Sequence, residues 1–126
     1  MEQYRIPLDT VSVEQVVKNS RFICHLGHAL SKDEALAEIG TIRNMHPKAN
    51  HVCWAYLGGP PDSPERGLSD DGEPYGTAGK PILAMLVHSG LGEIWTTVSR
   101  YFGGVKLGTG GLAPKFHEHF EKELYG

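Results

Sequence analysis

Residues 58 to 75, GGPPDSPERGLSDDGEPY, place glycine or proline at eight of eighteen positions. Proline removes a backbone donor and glycine raises the entropic cost of order, so no regular core element fits here beyond a short strand over 66–69. The elements that build a core must therefore lie on either side. Before the segment, Tyr4, Ile6 and Leu8 alternate and Arg21–Leu26 is a compact apolar-rich run, which predicts strands over 3–28, with Pro7 marking an edge. Ser31-Lys32-Asp33-Glu34 is a capping box, Leu36, Ile39, Ile42 and Met45 follow at helical spacing, and Pro47 ends that helix. His51–Leu57 is an apolar run of strand length.

After the segment, proline's preference for a first helical turn starts a helix between Thr77 and Pro81. It runs through Ile82, Leu83, Leu86 and Val87 to Ser89-Gly90. Ile94–Phe102, rich in β-branched and aromatic residues, is the clearest strand. Leu112, Phe116, Phe120 and Leu124 recur every four residues, with Glu118 and Lys122 paired on another face. This order predicts an α/β (α+β) two-layer sandwich in one domain, 1–126. Its mainly antiparallel sheet is covered on one face by helices near 32–46, 79–89 and 111–124.

Net charge is −3, which excludes a generic nucleic-acid binder. From Pro74 to Phe116, however, Lys80, Arg100, Lys106 and Lys115 oppose only Glu93, a local +3 that leaves −6 elsewhere. Cys24 and Cys53 have no CxxC spacing and read as buried free thiols of a reducing compartment, not zinc ligands. The start, MEQYRIPLDT, lacks the apolar run of a signal peptide, and no stretch approaches the roughly twenty apolar residues that span a bilayer. A cytoplasmic chain without a membrane partner is expected.

Two glycine-rich loops lie inside or beside the basic region. One is the stretch S-D-D-G-E-P-Y-G-T-A-G-K-P, 69–81. The other is Gly103-Gly104-Val105-Lys106-Leu107-Gly108-Thr109-Gly110-Gly111. The second fits neither a P-loop, since threonine stands where the phosphate-binding lysine belongs, nor a dinucleotide fingerprint, since only thirteen residues follow Ala113. Both loops still precede helices, where backbone N–H groups and the helix dipole favour an anion. On that reading Thr77, Gly79, Lys80, Arg100, Tyr101, Gly103, Gly104, Gly108, Thr109, Gly110 and Gly111 form one surface for a phosphate-like anion or a partner. The plainer reading gives the glycines to tight turns and the threonines to N-caps.

Asp70, Asp71 and Glu73 likewise admit two readings: a hard-cation site, or a solvated turn whose acids favour the next helix's N-terminus. His51 opens an apolar strand and reads as a hydrogen-bonded core-edge residue before a general base. His117 and His119, two apart on a helix, face different sides and share no metal. No nucleophile, metal site or cofactor is derivable from spacing, so catalysis is not the first expectation.

SDDGEPYGTAGKPIL (69–83) and GLGEIWTTVSRYFGGVKLGTGGL (90–112), with the interval between them, closely resemble the YigZ/Impact family. Lys18-x-Ser20-Arg21-Phe22 and the Ala49, His51, Ala55 pattern add weaker matches, and the resemblance covers nearly the whole chain. It implies the two-layer fold of the second domain of a small-subunit ribosomal protein, and a role in translational control. The implied action is that of a binding module for ribosomal RNA or a translation-associated protein. Tyr75 and Pro114 depart from the family pattern, and the ferredoxin-like second domain usual in bacterial members is expected to be absent. The competing reading is a small magnesium-dependent phosphotransfer or hydrolytic enzyme. It would use Asp70, Asp71 or Glu73 at the metal, Lys80 on a phosphate and His51 as base. If RNA is bound, reversing Lys80 and Arg100 to glutamate should abolish binding without unfolding, Tyr101 can stack on a base, and Phe102 should be buried.

Overall fold

In the computed structural model, residues 4–17 and 19–102 are described; the expected helix near 111–124 and the second glycine loop lie outside them. Five strands and two helices alternate along the chain: β1 (Val11–Val17), β2 (Ser20–His28), α1 (Lys32–Met45), β3 (His51–Leu57), β4 (Arg66–Ser69), α2 (Gly79–Ser89) and β5 (Ile94–Tyr101). They form one sheet of order β1-β2-β5-β3-β4 in which every pairing is antiparallel. The α+β class and the antiparallel sheet are as expected.

The run that reads as the clearest strand is the centre of the sheet. β5 pairs with β2 on one side and β3 on the other, so Val98 lies opposite both Cys24 and Cys53. The glycine- and proline-rich segment contributes only β4, as its composition requires. Expectation and structure differ before β1. Residues 4–10 form no strand beyond a single parallel bridge from Arg5 to Leu91, and Leu8 is exposed.

The helices do not share a face. Phe22, Cys24, Leu26, Cys53, Ala55, Leu57, Ile94 and Val98 pack with Ile82, Met85 and Leu86 of α2. Tyr56 and Trp95, one residue out of phase with Ala55 and Ile94, pack instead with Ala35, Ile39 and Ile42 of α1. Side chains alternate across a strand, so α1 and α2 lie on opposite sides of the sheet. This corrects the single covered face. The cause is visible in β5, which is buried from Ile94 through Arg100 without alternation, and in β3, whose apolar run is continuous. A strand with no exposed face, even where it carries Thr96, Thr97, Ser99 and Arg100, has cover on both sides.

α1 begins with half of its capping box: the Ser31 hydroxyl accepts from the Glu34 amide, while the Glu34 carboxylate accepts from Leu30 N, one residue before the serine. Its buried stripe is Ala35, Ile39 and Ile42, while Met45, at the last helical position and read as part of the same stripe, is 59% exposed. α2 buries Ile82, Met85 and Leu86, and Val87 faces outward. Among the described residues no helix is long and apolar enough to cross a membrane.

Candidate functional site

β4 ends at Ser69, and Asp70 follows it directly. The Asp70 carboxylate reaches the start of α2: Oδ1 accepts from Gly79 N at 2.7 Å and Ala78 N at 3.1 Å, and Oδ2 from Gly76 N at 2.8 Å. The cap position itself is Ala78, which has no side chain able to accept, and the Thr77 hydroxyl donates to the Pro74 carbonyl. The helix N-terminus is therefore answered by an internal anion eight or nine residues upstream. These bonds, led by the one from Gly79, hold the Asp70 carboxyl below its ordinary range against the opposing effect of burial. A side chain at Gly79 would crowd the end of β4, since a Cβ would lie 2.8 Å from Leu68 Cδ1 and 3.1 Å from the Ser69 backbone.

Asp71 turns the other way. With a positive φ of 44°, it directs Oδ2 to Val52 N at 2.7 Å and its carbonyl to His51 Nδ1 at 2.6 Å, while Arg43 of α1 stands 3.5 Å from Oδ1. Cys53 Sγ donates to the Asp70 carbonyl at 3.1 Å. Gly72, at φ 89°, allows the loop to cross the His51 ring, where a Cβ would come to 3.1 Å. Glu73 then enters the core, 8% exposed, and its Oε1 accepts from Arg100 Nη1 at 2.6 Å, with His51 Nε2 3.8 Å away. Arg100, itself 4% exposed, sits across from His51 in the β3–β5 register.

The fold thus brings together His51, Asp70, Asp71, Glu73, Gly79 and Arg100. Lys80 stands apart from this network, exposed, with Nζ 5.0 Å from the Tyr75 ring centroid; Tyr75 is 88% exposed. Tyr101 lies on the opposite face, where its hydroxyl meets His46 Nδ1 at 2.6 Å and Arg21 covers its ring. Phe102 is 47% exposed, contrary to expectation; its amide donates to Asn50 Oδ1 just past the end of β5. Gly103, Gly104, Gly108, Thr109, Gly110 and Gly111 lie outside the described residues.

Arg43 and Cys53 join the cluster unannounced by any motif. Cys53 was findable, since it is two residues from His51 on one strand and so shares its face. Arg43 arrives from α1 through tertiary packing alone.

Chemically, each acid of the arrangement is already engaged by a protein donor. Both Asp70 oxygens, one Asp71 oxygen and one Glu73 oxygen already accept from protein donors at 2.6–3.1 Å. Among the described residues no group of three or more His, Cys, Asp or Glu side chains is placed to hold a metal ion. Charge reversal at Arg100 would set a carboxylate against buried Glu73, so it would act on folding before it acted on any ligand.

The chain is 50% identical over 117 residues to the IMPACT family member YigZ of Escherichia coli (strain K12), covering 92% of this chain and 57% of that protein. It is 46% identical over 125 residues to an IMPACT family member of Haemophilus influenzae (strain ATCC 51907 / DSM 11121 / KW20 / Rd), covering 98% and 61%. It therefore spans about three fifths of the length of these relatives. A crystal structure of a hypothetical protein, 47% identical, superposes with a TM-score of 0.87 over 99% of this chain and 61% of that one. The two-domain translational regulator Yih1, 23% identical, shares the fold with a TM-score of 0.54 over 98% of this chain and 46% of its own. The profile of the Impact N-terminal domain matches residues 18–124, and the chain belongs to that family.

Proposed function

We propose that this chain acts in the cytoplasm as a binding module of translational control, contacting a ribosome-associated protein or RNA. The observation that carries the reading is that every acid of the motif is engaged within the protein. Asp70, Asp71 and Glu73 bond backbone amides and Arg100, which anchors the 69–81 segment to β3, β5 and the start of α2. Family membership and the fold shared with the translational regulator Yih1 supply the biological setting. A protein partner is favoured over RNA: the chain is net negative, and Arg100, the cation expected to meet phosphate, is buried on Glu73. Lys80, Tyr75, Thr77 and Phe102 supply the exposed part of the surface, with the second glycine loop continuing the chain beyond Phe102.

The test is sedimentation of the purified chain with ribosomes, paired with protein synthesis in a bacterial cell-free system. Co-sedimentation and a changed yield, both lost on Lys80→Glu with Tyr75→Ala, are expected. No co-sedimentation and an unchanged yield would overturn the proposal. The magnesium-dependent enzyme reading makes the opposite forecast: nucleotide hydrolysis with magnesium that disappears on Asp71→Asn.

A further inference from the structure

Beside α2 the described sheet ends at β4, a strand of four residues. A groove remains between strand and helix, lined by Arg66 and Leu68 on one flank and by Lys80, Leu83, Val87 and His88 on the other, with Ala84 between them. Arg66 and Leu68 are two residues apart and share a face; Lys80, Ala84 and Val87 follow one another along one side of the helix. Leu68 and Val87 are large apolar side chains left exposed. Three basic residues lie around this apolar floor and no acid lines the groove, on a molecule whose net charge is negative.

An occupant must satisfy three conditions. It must bury aliphatic carbon against Leu68, Leu83 and Val87. It must bring negative charge to Arg66 and Lys80. It must also suit the outer edge of a strand, which among the described residues has no neighbour beyond β4. RNA meets only the second condition, since it has no main-chain amides to pair with a strand edge and no aliphatic side chains to set against Leu68, Leu83 and Val87. An extended peptide meets all three, because its alternate side chains recur on one face about every 6.8 Å, close to the Arg66–Leu68 repeat.

We propose that this groove binds an extended peptide segment of a protein partner, acidic and aliphatic at alternating positions, which adds to the edge of β4 as a further strand. The proposal rests on the binding-module reading above and assigns its partner surface and partner chemistry. Main-chain pairing with β4 would give affinity, and the cationic rim would select acidic over basic sequences.

The test is a selection of random peptides of about twelve residues on the full chain, followed by amide chemical shifts with the best synthetic peptide. Retained sequences should alternate acids with aliphatics and shift the amides of 66–69 and 80–88. Ala84→Glu and Val87→Asp, both at outward positions and outside the acidic network, should each weaken that peptide about tenfold while leaving the melting temperature within a few degrees. Retention of basic or non-alternating peptides, shifts confined to other elements, or no retained peptide would overturn the proposal. If the groove variants keep ribosome association and the effect on protein synthesis, the groove assignment fails and the binding-module reading stands. If peptides bind the groove but the intact chain has no effect on ribosomes or synthesis, the reverse holds.

Discussion

Asp70 does for α2 what the residue at its cap position cannot, because Ala78 has no acceptor. Replacing Asp70 by alanine leaves the amides of Gly76, Ala78 and Gly79, in and just before the start of α2, without their anion and should lower stability by about 1–3 kcal/mol in urea unfolding. Asp70→Asn keeps an acceptor but not the charge, and should fall between. The folded carboxyl titrates below its unfolded value, so its contribution is complete above the unfolded pKa of about 3.9 and is lost as pH falls through the lower folded value. Stability measured from pH 5 down to pH 2 should therefore drop less steeply in Asp70→Asn than in the parent. The two thiols behave in the opposite sense: burial pushes Cys24 and Cys53 up to about 12. At pH 8 an aromatic disulfide reagent should modify neither until denaturant is added; rapid labelling of the native chain would contradict the buried placement. As a turn and a source of negative charge near a helix start, Asp-Asp-Gly was readable from its composition. Which of the two acids caps the helix, and which binds the β3 backbone, was not.

At the level of elements, the Glu73–Arg100 pair ties the loop after β4 to the central strand. Truncating either partner strands a buried charge, so Glu73→Ala or Arg100→Ala should each cost about 3–5 kcal/mol. The double change Glu73→Leu with Arg100→Met should recover much of that loss in the same unfolding assay, since it removes both charges and keeps the volume. If the single and double variants are equally destabilised, the pair is not what holds the loop. This pairing also explains why Arg100 misleads a reading by charge alone. An arginine at the end of a strand beside a glycine loop looks available to phosphate, and only its burial shows otherwise. His51 donates its Nδ1–H to the Asp71 carbonyl and is partly buried.

Across the whole molecule, the sheet separates two apolar clusters, one under each described helix. Ile39→Ala on the α1 side and Ile82→Ala on the α2 side should each cost about 2–5 kcal/mol. Their effects should add within about 0.5 kcal/mol, because they share no cavity. Marked non-additivity in a double-mutant cycle would mean that the clusters communicate through the sheet. The same separation assigns tasks to the two sides. α1 covers one face and lends Arg43 to the acidic loop, while α2 shares its face with Glu73 and Arg100 and forms one wall of the groove beside β4.

Local chemistry in the sequence was sufficient for the serine cap of α1, the limits of β3 and α2, the brevity of β4 and the identity of β5 as a principal strand. Each of these depends on contacts within a few residues or on a period that backbone geometry imposes. The continuous apolar run of β3 also contained evidence for cover on both faces, although the order of elements was read as one covered face. Tertiary structure decided the remainder: that Asp70 reaches forward nine residues to Gly79, that Asp71 and Glu73 serve different strands, and that Arg100 is interior. Those outcomes depend on which chain segments a strand order of β1-β2-β5-β3-β4 makes neighbours. Spacing along the chain carries no trace of that order, because the free energy that selects it comes from burying both faces of the sheet at once.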